Sequence, residues 1–318
     1  MNSNLAIKLY AMVKSGIIKS NAMFWREFSK EKIEEFDIDI LDIKNELLGK
    51  GLSVVCAFDD NFPMIVNNLK NSEKPFLFVY KGNIELLSNI SNNVAVIGVL
   101  SPTPDIENRE QRIVRELASS NLVVVSGLAR GCDTIAHKTC LTCNGKTIAI
   151  LPTTFDDFYP KENEKLASII IESGGLVITE YVNKPQNKYE GIKRFIERDR
   201  LQEMFSKAVI LIASFRQGQG DSGSRYAMQK AKEYGKLRYV MFNQKTDLNK
   251  EIFGLNKDLL DNKVTILTEK TIRGITNWNT QTDSWIYGYR SFSVVNFLSP
   301  FETVAPEFDS RCLYIKIC

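Results

Sequence analysis

The chain has 318 residues, 44% of them hydrophobic and 25% charged, with a formal net charge of +3. This is ordinary composition for a folded protein of one large or two modest domains. A charge so close to balance neither requires nor excludes nucleic acid, because a local basic patch counts for more than the total. No apolar run reaches membrane-spanning length, and the N-terminus, Met1-Asn-Ser-Asn-Leu5, lacks the charged and apolar regions of a signal peptide. The expectation is a cytoplasmic protein with no membrane partner.

The first fifty residues read as helices. Leu5, Ile7, Leu9, Tyr10 and Val13 recur at helical spacing. Ser29 is placed to cap a further helix with Glu31 in its first turn, although Lys32 stands where a capping box needs Glu or Gln. Leu41, Ile43, Leu47 and Leu48 form another stripe, and Gly51 is placed to end it.

From residue 52 strands and helices alternate. Strands are expected over Leu52–Phe58, Pro75–Gly82, Asn93–Gly98, Val123–Val125, Thr147–Leu151, Leu176–Glu180, Lys207–Ser214 and Leu237–Phe242. Helices are expected over Ile106–Leu117, after Gly131, and over Glu164–Ser173, Glu190–Phe205 and Tyr226–Tyr234. Continuous apolar strands of this kind belong to a mostly parallel sheet covered by helices on both faces, a Rossmann-like α/β fold. Ligands bind such sheets at the strand C-termini. Gly98, Gly127, Thr153 and the Gly218–Ser224 loop should therefore meet in one crevice. The resulting division is a helical module over residues 1–51, an α/β core over 52–268 and an extension over 269–318. Trp278, Trp285, Tyr287, Tyr289, Phe292, Phe297, Phe301 and Phe308 crowd that extension. They read as packing against the main domain or a dimer partner, with base stacking as the alternative.

One stretch organises the rest: Val123-Val-Val-Ser-Gly-Leu-Ala-Arg-Gly-Cys-Asp-Thr-Ile-Ala-His137. A β-branched run, a glycine turn and a helix start are the grammar of a phosphate cradle, in which free helix N–H groups favour an anion. Arg130 adds a cation between Gly127 and Gly131. Downstream, Lys193, Arg194, Arg198 and Arg200 make a basic helix face, with Glu197 and Asp199 partly offsetting it.

These blocks, in this order, resemble the DNA-processing protein A (DprA/Smf) family. The resemblance is carried by Asp59-Asp-Asn-Phe-Pro63, Pro75-Phe-Leu-Phe-Val-Tyr-Lys-Gly-Asn83, Ser126 to His137, Gly145 to Leu151, Tyr159-Pro160, Phe195 to Arg200 and Ser222-Gly-Ser224. It spans residues 52 to 245, and ordered blocks are far more specific than one glycine motif. It implies a Rossmann-like core that binds single-stranded DNA, loads a RecA-type recombinase in natural transformation or recombination, and forms a homodimer. It implies no cofactor, no metal and no catalytic residue. The DNA-binding or phosphate-binding residues it points to are Ser126, Gly127, Arg130, Gly131, Lys193, Arg194, Arg198, Arg200, Gly223 and Ser224. The chain departs from the family pattern at Val99 and Leu100, which follow Gly98 in place of a serine and an arginine. Ile196 and Asp199 replace a proline and an asparagine, and Arg225-Tyr226 follows the last glycine loop.

Competing chemistry is thinly supported. Cys140-Leu-Thr-Cys143 has CxxC spacing and His137 nearby, but a second pair is missing, so two small residues beside a core is the simpler reading. The six cysteines read as free thiols. Asp133 and His137 stand at i,i+4, yet Ser126 lacks the context of an exposed nucleophile. Glu180, at a strand end, is a candidate for a ribose hydroxyl or for a loop contact. The second functional reading is a nucleotide-ligand sensor or nucleotide-processing enzyme using the same crevice.

Overall fold

Three serines turn the chain into its first helices. Ser3, Ser20 and Ser29 each accept a backbone N–H with the hydroxyl, starting α1 (Asn4–Lys14), α2 (Asn21–Glu27) and α3 (Lys30–Glu35). The Ser29 cap forms with Lys32 as its donor, so the capping box is dispensable there. α4 (Leu41–Gly49) follows, and Gly51, at φ +60, carries the chain out of it. The computed structural model describes residues 2–277, apart from 64 and 66–68. The aromatic residues from Trp278 onward lie outside the described residues.

The strands are β1 (Ser53–Cys56), β2 (Leu77–Gly82), β3 (Asn93–Ile97), β4 (Val123–Ser126), β5 (Thr147–Ile150), β6 (Leu176–Thr179), β7 (Ala208–Leu211), β8 (Leu237–Val240) and β9 (Thr265–Ile266). The helices between and after them are α5 (Pro104–Ser119), α6 (Cys132–Thr142), α7 (Glu164–Glu172), α8 (Lys188–Met204), α9 (Ser224–Glu233), α10 (Gly254–Asp261) and α11 (Glu269–Asn277). The described strands form one sheet in the order β1-β2-β6-β5-β4-β3-β7-β8-β9. It is parallel from β6 to β9, while β2 runs antiparallel to both β1 and β6.

Every residue of β3, β4, β5, β6 and β7 is buried, as an apolar strand covered on both faces requires. Alternate side chains go to opposite faces. Ala95, Ile97 and Val125 join Leu201 and Met204 of α8 and Ala227 and Met228 of α9. Val94, Val96 and Val124 join Ile106 and Val114 of α5 and Cys132 and Ala136 of α6. The N-terminal helices cover the β1–β2 end through Ile7, Leu9, Met12 and Phe24, packed with Val54, Phe76 and Val79. Ile272 and Ile275 of α11 are buried in the α5–α6 layer. No helix among the described residues is long and apolar enough to cross a membrane.

Candidate functional site

Strand order fixes where a ligand can sit. Beside β3 the chain reverses its direction of travel across the sheet: β4, β5 and β6 lie to one side, β7, β8 and β9 to the other. That reversal opens a crevice at the strand C-termini. It has a volume of about 350 Å³ and is bounded by the loops after β3, β4, β5 and β7 and by α8. Gly98, Gly127, Gly223 and Ser224 line it as the loop argument expects; Thr153 is buried and does not.

Half of the ten residues singled out in the sequence line this crevice: Gly127, Arg130, Arg198, Gly223 and Ser224. The other five are employed elsewhere. Ser126 is buried and donates its hydroxyl to Val96 O at 2.7 Å. Gly131, at φ +68, lets α6 press against the β3–α5 loop; a Cβ there would stand 2.4 Å from Val99 O. Lys193 pairs with Glu197 at 2.9 Å in the exposed first half of α8. Arg194 is buried, donating to Asn183 O at 2.6 Å and to Glu190 at 2.7 Å. Arg200 is buried too, forked onto both oxygens of Glu180 at 2.7 and 2.6 Å. Burial and that carboxylate answer the question of Glu180: it holds α8 to the end of β6.

The glycine loop is shaped by the protein's own groups. The guanidinium of Arg198 occupies the space beside Gly127, where a Cβ would lie 1.1 Å from Nη1. Asp133 turns back from the first turn of α6 and accepts the N–H groups of Gly127 and Ala129 at 3.1 and 3.2 Å. On the opposite wall Asp221 accepts the N–H of Leu100 at 2.7 Å. Backbone donors that a bare cradle would offer to a phosphate are thus already satisfied by carboxylates. Sequence reasoning missed both clamps. Asp133 had a signal, a short acid just after a glycine turn; Asp221 had none, since its partner is 121 positions away.

Arg198 is the buried cation of the crevice, 4% exposed. Its nearest carboxylate oxygens are Asp199 Oδ1 at 3.6 Å and Asp133 Oδ2 at 3.8 Å, beyond hydrogen-bond length. Among the described residues its Nε and Nη1 have no hydrogen-bond acceptor. Burial raises the Asp133 carboxyl, with Arg198 opposing the rise. Burial likewise pushes Asp199 up to about 7, against Arg198 and with help from Asp133 and Asp221. His137 lies below, its ring bonded to Thr147 Oγ1 at 2.7 Å, and burial pushes it down to about 3. It does not meet Asp133, whose carboxylate serves the loop. Cys140 is buried against Lys146 O, and the described residues contain no cluster that could hold a metal ion.

The mouth differs in character. Arg130, 57% exposed, reaches across the rim to Glu162, with Nη2 to Oε2 at 3.0 Å. Its partner is therefore Glu162 of the loop after β5. Tyr159, 53% exposed, stands edge-on to Phe195 with ring centroids 5.7 Å apart. Leu100 and Ile196 are exposed beside them.

Fold and site together define a Rossmann-like α/β protein with a crevice of about 350 Å³ at the topological switch of its sheet. Residues 53–272 match the family model of DNA recombination-mediator protein A, and the chain belongs to that family. Among curated relatives, it is 30% identical over 179 residues to protein Smf of Borreliella burgdorferi, covering 55% of this chain and 54% of that one. It is 38% identical over 123 residues to DNA processing protein DprA of Streptococcus pneumoniae, covering 39% and 42%. The chain spans about half the length of these relatives. The X-ray structure of Streptococcus pneumoniae DprA superposes with a TM-score of 0.67 at 25% identity, covering 86% of this chain and 97% of that one. A structure of DNA processing protein A from Helicobacter pylori, described for its single-stranded DNA binding mode, gives a TM-score of 0.57 at 28% identity, covering 71% of this chain and 94% of that one.

Proposed function

We propose that this chain binds single-stranded DNA at the crevice mouth, without catalysing a reaction on it, and that it delivers the strand to a RecA-type recombinase as a homodimer in the cytoplasm. The observation that carries the DNA reading is the rim itself. An exposed tyrosine supported edge-on by a phenylalanine offers a base a stacking surface, and an exposed arginine stands beside it for the backbone. Family membership and the solved Helicobacter pylori relative support the same class of ligand. Recombinase delivery and dimerisation rest on the family resemblance.

The test is a salt titration of oligo-dT and duplex binding. Single strands should bind with little sequence preference and weaken steeply with salt. Tyr159→Ala should loosen binding by about 1–3 kcal/mol, the usual worth of one stacked base. Arg130→Ala should lower the salt slope by about 0.7, one phosphate contact on a single strand. Wild-type binding by both variants at matched salt would retire this interface.

A second reading has one observation in its favour. The crevice is within the volume range of small-ligand pockets and holds a buried arginine with unused donors. If free nucleotides raise the melting temperature while oligo-dT does not, the crevice is a nucleotide site instead.

A further inference from the structure

Two carboxylates flank one buried guanidinium in the crevice and a third, Asp221, lies on the opposite wall; the three are not equivalent. Asp133 accepts two backbone N–H groups. Asp221 accepts the N–H of Leu100 at 2.7 Å and that of Gly223 at 3.5 Å. Asp199 receives a single side-chain donor, Gln202 Nε2 at 3.2 Å. Hydrogen bonds to an ionised carboxylate hold its charge in place, so the least-bonded member of a crowded set is the one that takes the proton. That member is Asp199, 16% exposed and lining the crevice next to Arg198.

We propose that the crevice is a proton-gated anion site, in which Arg198 receives a phosphate-class group when Asp199 carries a proton. The proposal rests on the crevice taking part in the DNA contact inferred above. With Asp199 ionised, Arg198 is flanked by two negative charges, and an incoming anion meets their repulsion together with that of Asp221. With Asp199 protonated, Arg198 faces Asp133 alone, its Nε and Nη1 remain available, and the new O–H is a further donor.

Other ionisable groups surround Asp199, and the Asp199→Asn comparison separates its titration from theirs. Asp199 has its pKa raised by burial to about 7, in the middle of the working range. On α8 the groups near it are Arg198, Gln202 and Glu203, the last held well above the usual carboxylate range by burial. Asp133 acts on it from α6, and the chain's one histidine, His137 on the same helix, is held neutral by burial, at a pKa of about 3. Asp221 faces it from the loop before α9, and Arg130 lines the far rim. Lys236, depressed to about 8 by burial, lies behind Glu203.

The experiment measures binding of the full chain to fluorescent oligo-dT between pH 6 and pH 8 at constant ionic strength. A second arm measures thermal stabilisation by millimolar sulfate, an anion that does not titrate in this window. If one proton on Asp199 is required, wild-type affinity for the anion should fall about tenfold from pH 6 to pH 8. Asp199→Asn should bind oligo-dT at pH 8 as the wild type does at pH 6, with no slope. A flat wild-type profile overturns the gate, as does an Asp199→Asn variant that keeps the wild-type slope, and either result leaves the DNA reading standing. If oligo-dT binds at no pH while sulfate stabilises the wild type more at pH 6 than at pH 8, and Asp199→Asn equally at both, the site stands and the DNA reading falls. Absence of both oligo-dT and sulfate binding at pH 6 overturns the proposal.

Discussion

Gly127→Ala tests whether the glycine loop is shaped by the protein's own arginine. The Gly127 backbone is not in the left-handed region, so alanine adds no dihedral strain. The added methyl would overlap Arg198, with Nη1 at 1.1 Å and Cζ at 2.2 Å. Those atoms are the far end of a flexible side chain, so the guanidinium moves and the sheet does not. Its cost is electrostatic. At the present separations of 3.6 and 3.8 Å, each ionised carboxylate attracts Arg198 by roughly 4 kcal/mol at an effective dielectric near 20. Displacing the guanidinium to about 6 Å leaves roughly 3 kcal/mol per pair. With Asp133 ionised and Asp199 half so near pH 7, the loss is roughly 2–3 kcal/mol. Urea unfolding measures it, as a lower midpoint at unchanged slope. The decisive comparison is a double-mutant cycle with Arg198→Ala. In that background the methyl enters vacated space and should cost less than about 0.5 kcal/mol. An equal cost in both backgrounds would refute the argument, because the clash would then be with something other than Arg198.

Other perturbations read other parts of the structure. Gly131→Ala combines a positive φ with a Cβ 2.4 Å from Val99 O, a backbone atom that cannot swing away; it should cost at least about 2 kcal/mol in the same assay. Arg200→Met removes one partner of a buried fork and leaves Glu180 uncompensated, for a loss of about 3–5 kcal/mol. Oligo-dT affinity of the folded Arg200→Met fraction should be unchanged, since Arg200 does not line the crevice. Glu110 is fully buried, and burial holds it well above the usual carboxylate range, with the neighbouring Cys132 thiol opposing the rise. With the folded pKa raised, its favourable share of stability is complete below the unfolded value near 4.5 and is lost as pH rises towards the folded one. Glu110→Gln should therefore flatten the decline of the urea midpoint from pH 5 to pH 8; a decline equal to wild type would show that Glu110 is not its source.

The fold was readable where one local rule decides the outcome. The apolar strands from β3 to β7 announce themselves because they are covered on both faces, so no polar alternation confuses them with helices. Ser29 announces α3 because an N-cap is a four-residue event. Strand direction at the β1–β2 edge is not local: Ser53 pairs with Tyr80, and β2 with β6 about a hundred positions on. The exposed two-residue β9 has too little pattern to be seen. At the site, Arg194 and Arg198 stand at i,i+4 on one helix face, and the structure buries both. Charge runs usually mark a wetted surface. Here Arg198 and Arg200 face acids from α6 and from the end of β6, Asp133 and Glu180, which no window along α8 contains, while Arg194 pairs with Glu190 of α8 itself.

That division of labour along α8 bears on where a strand of DNA can bind. Arg194 and Arg200 are consumed in holding the helix over the sheet. The floor beneath it carries Arg198 against Asp133, Asp199 and Asp221, so the buried part of the crevice is not a basic channel. The exposed groups that suit DNA are at the rim: Arg130, Tyr159 and Ile196. While Asp199 is ionised, attraction for the backbone therefore falls mainly on Arg130, which must exchange Glu162 for a phosphate. Both of those side chains are more than half exposed, so water screens the existing pair and it is readily surrendered. Glu162→Gln, which removes the competitor and leaves Arg130 in place, should accordingly tighten oligo-dT binding modestly. Weaker binding by Glu162→Gln would mean that Glu162 orients Arg130 for DNA and does not compete with it.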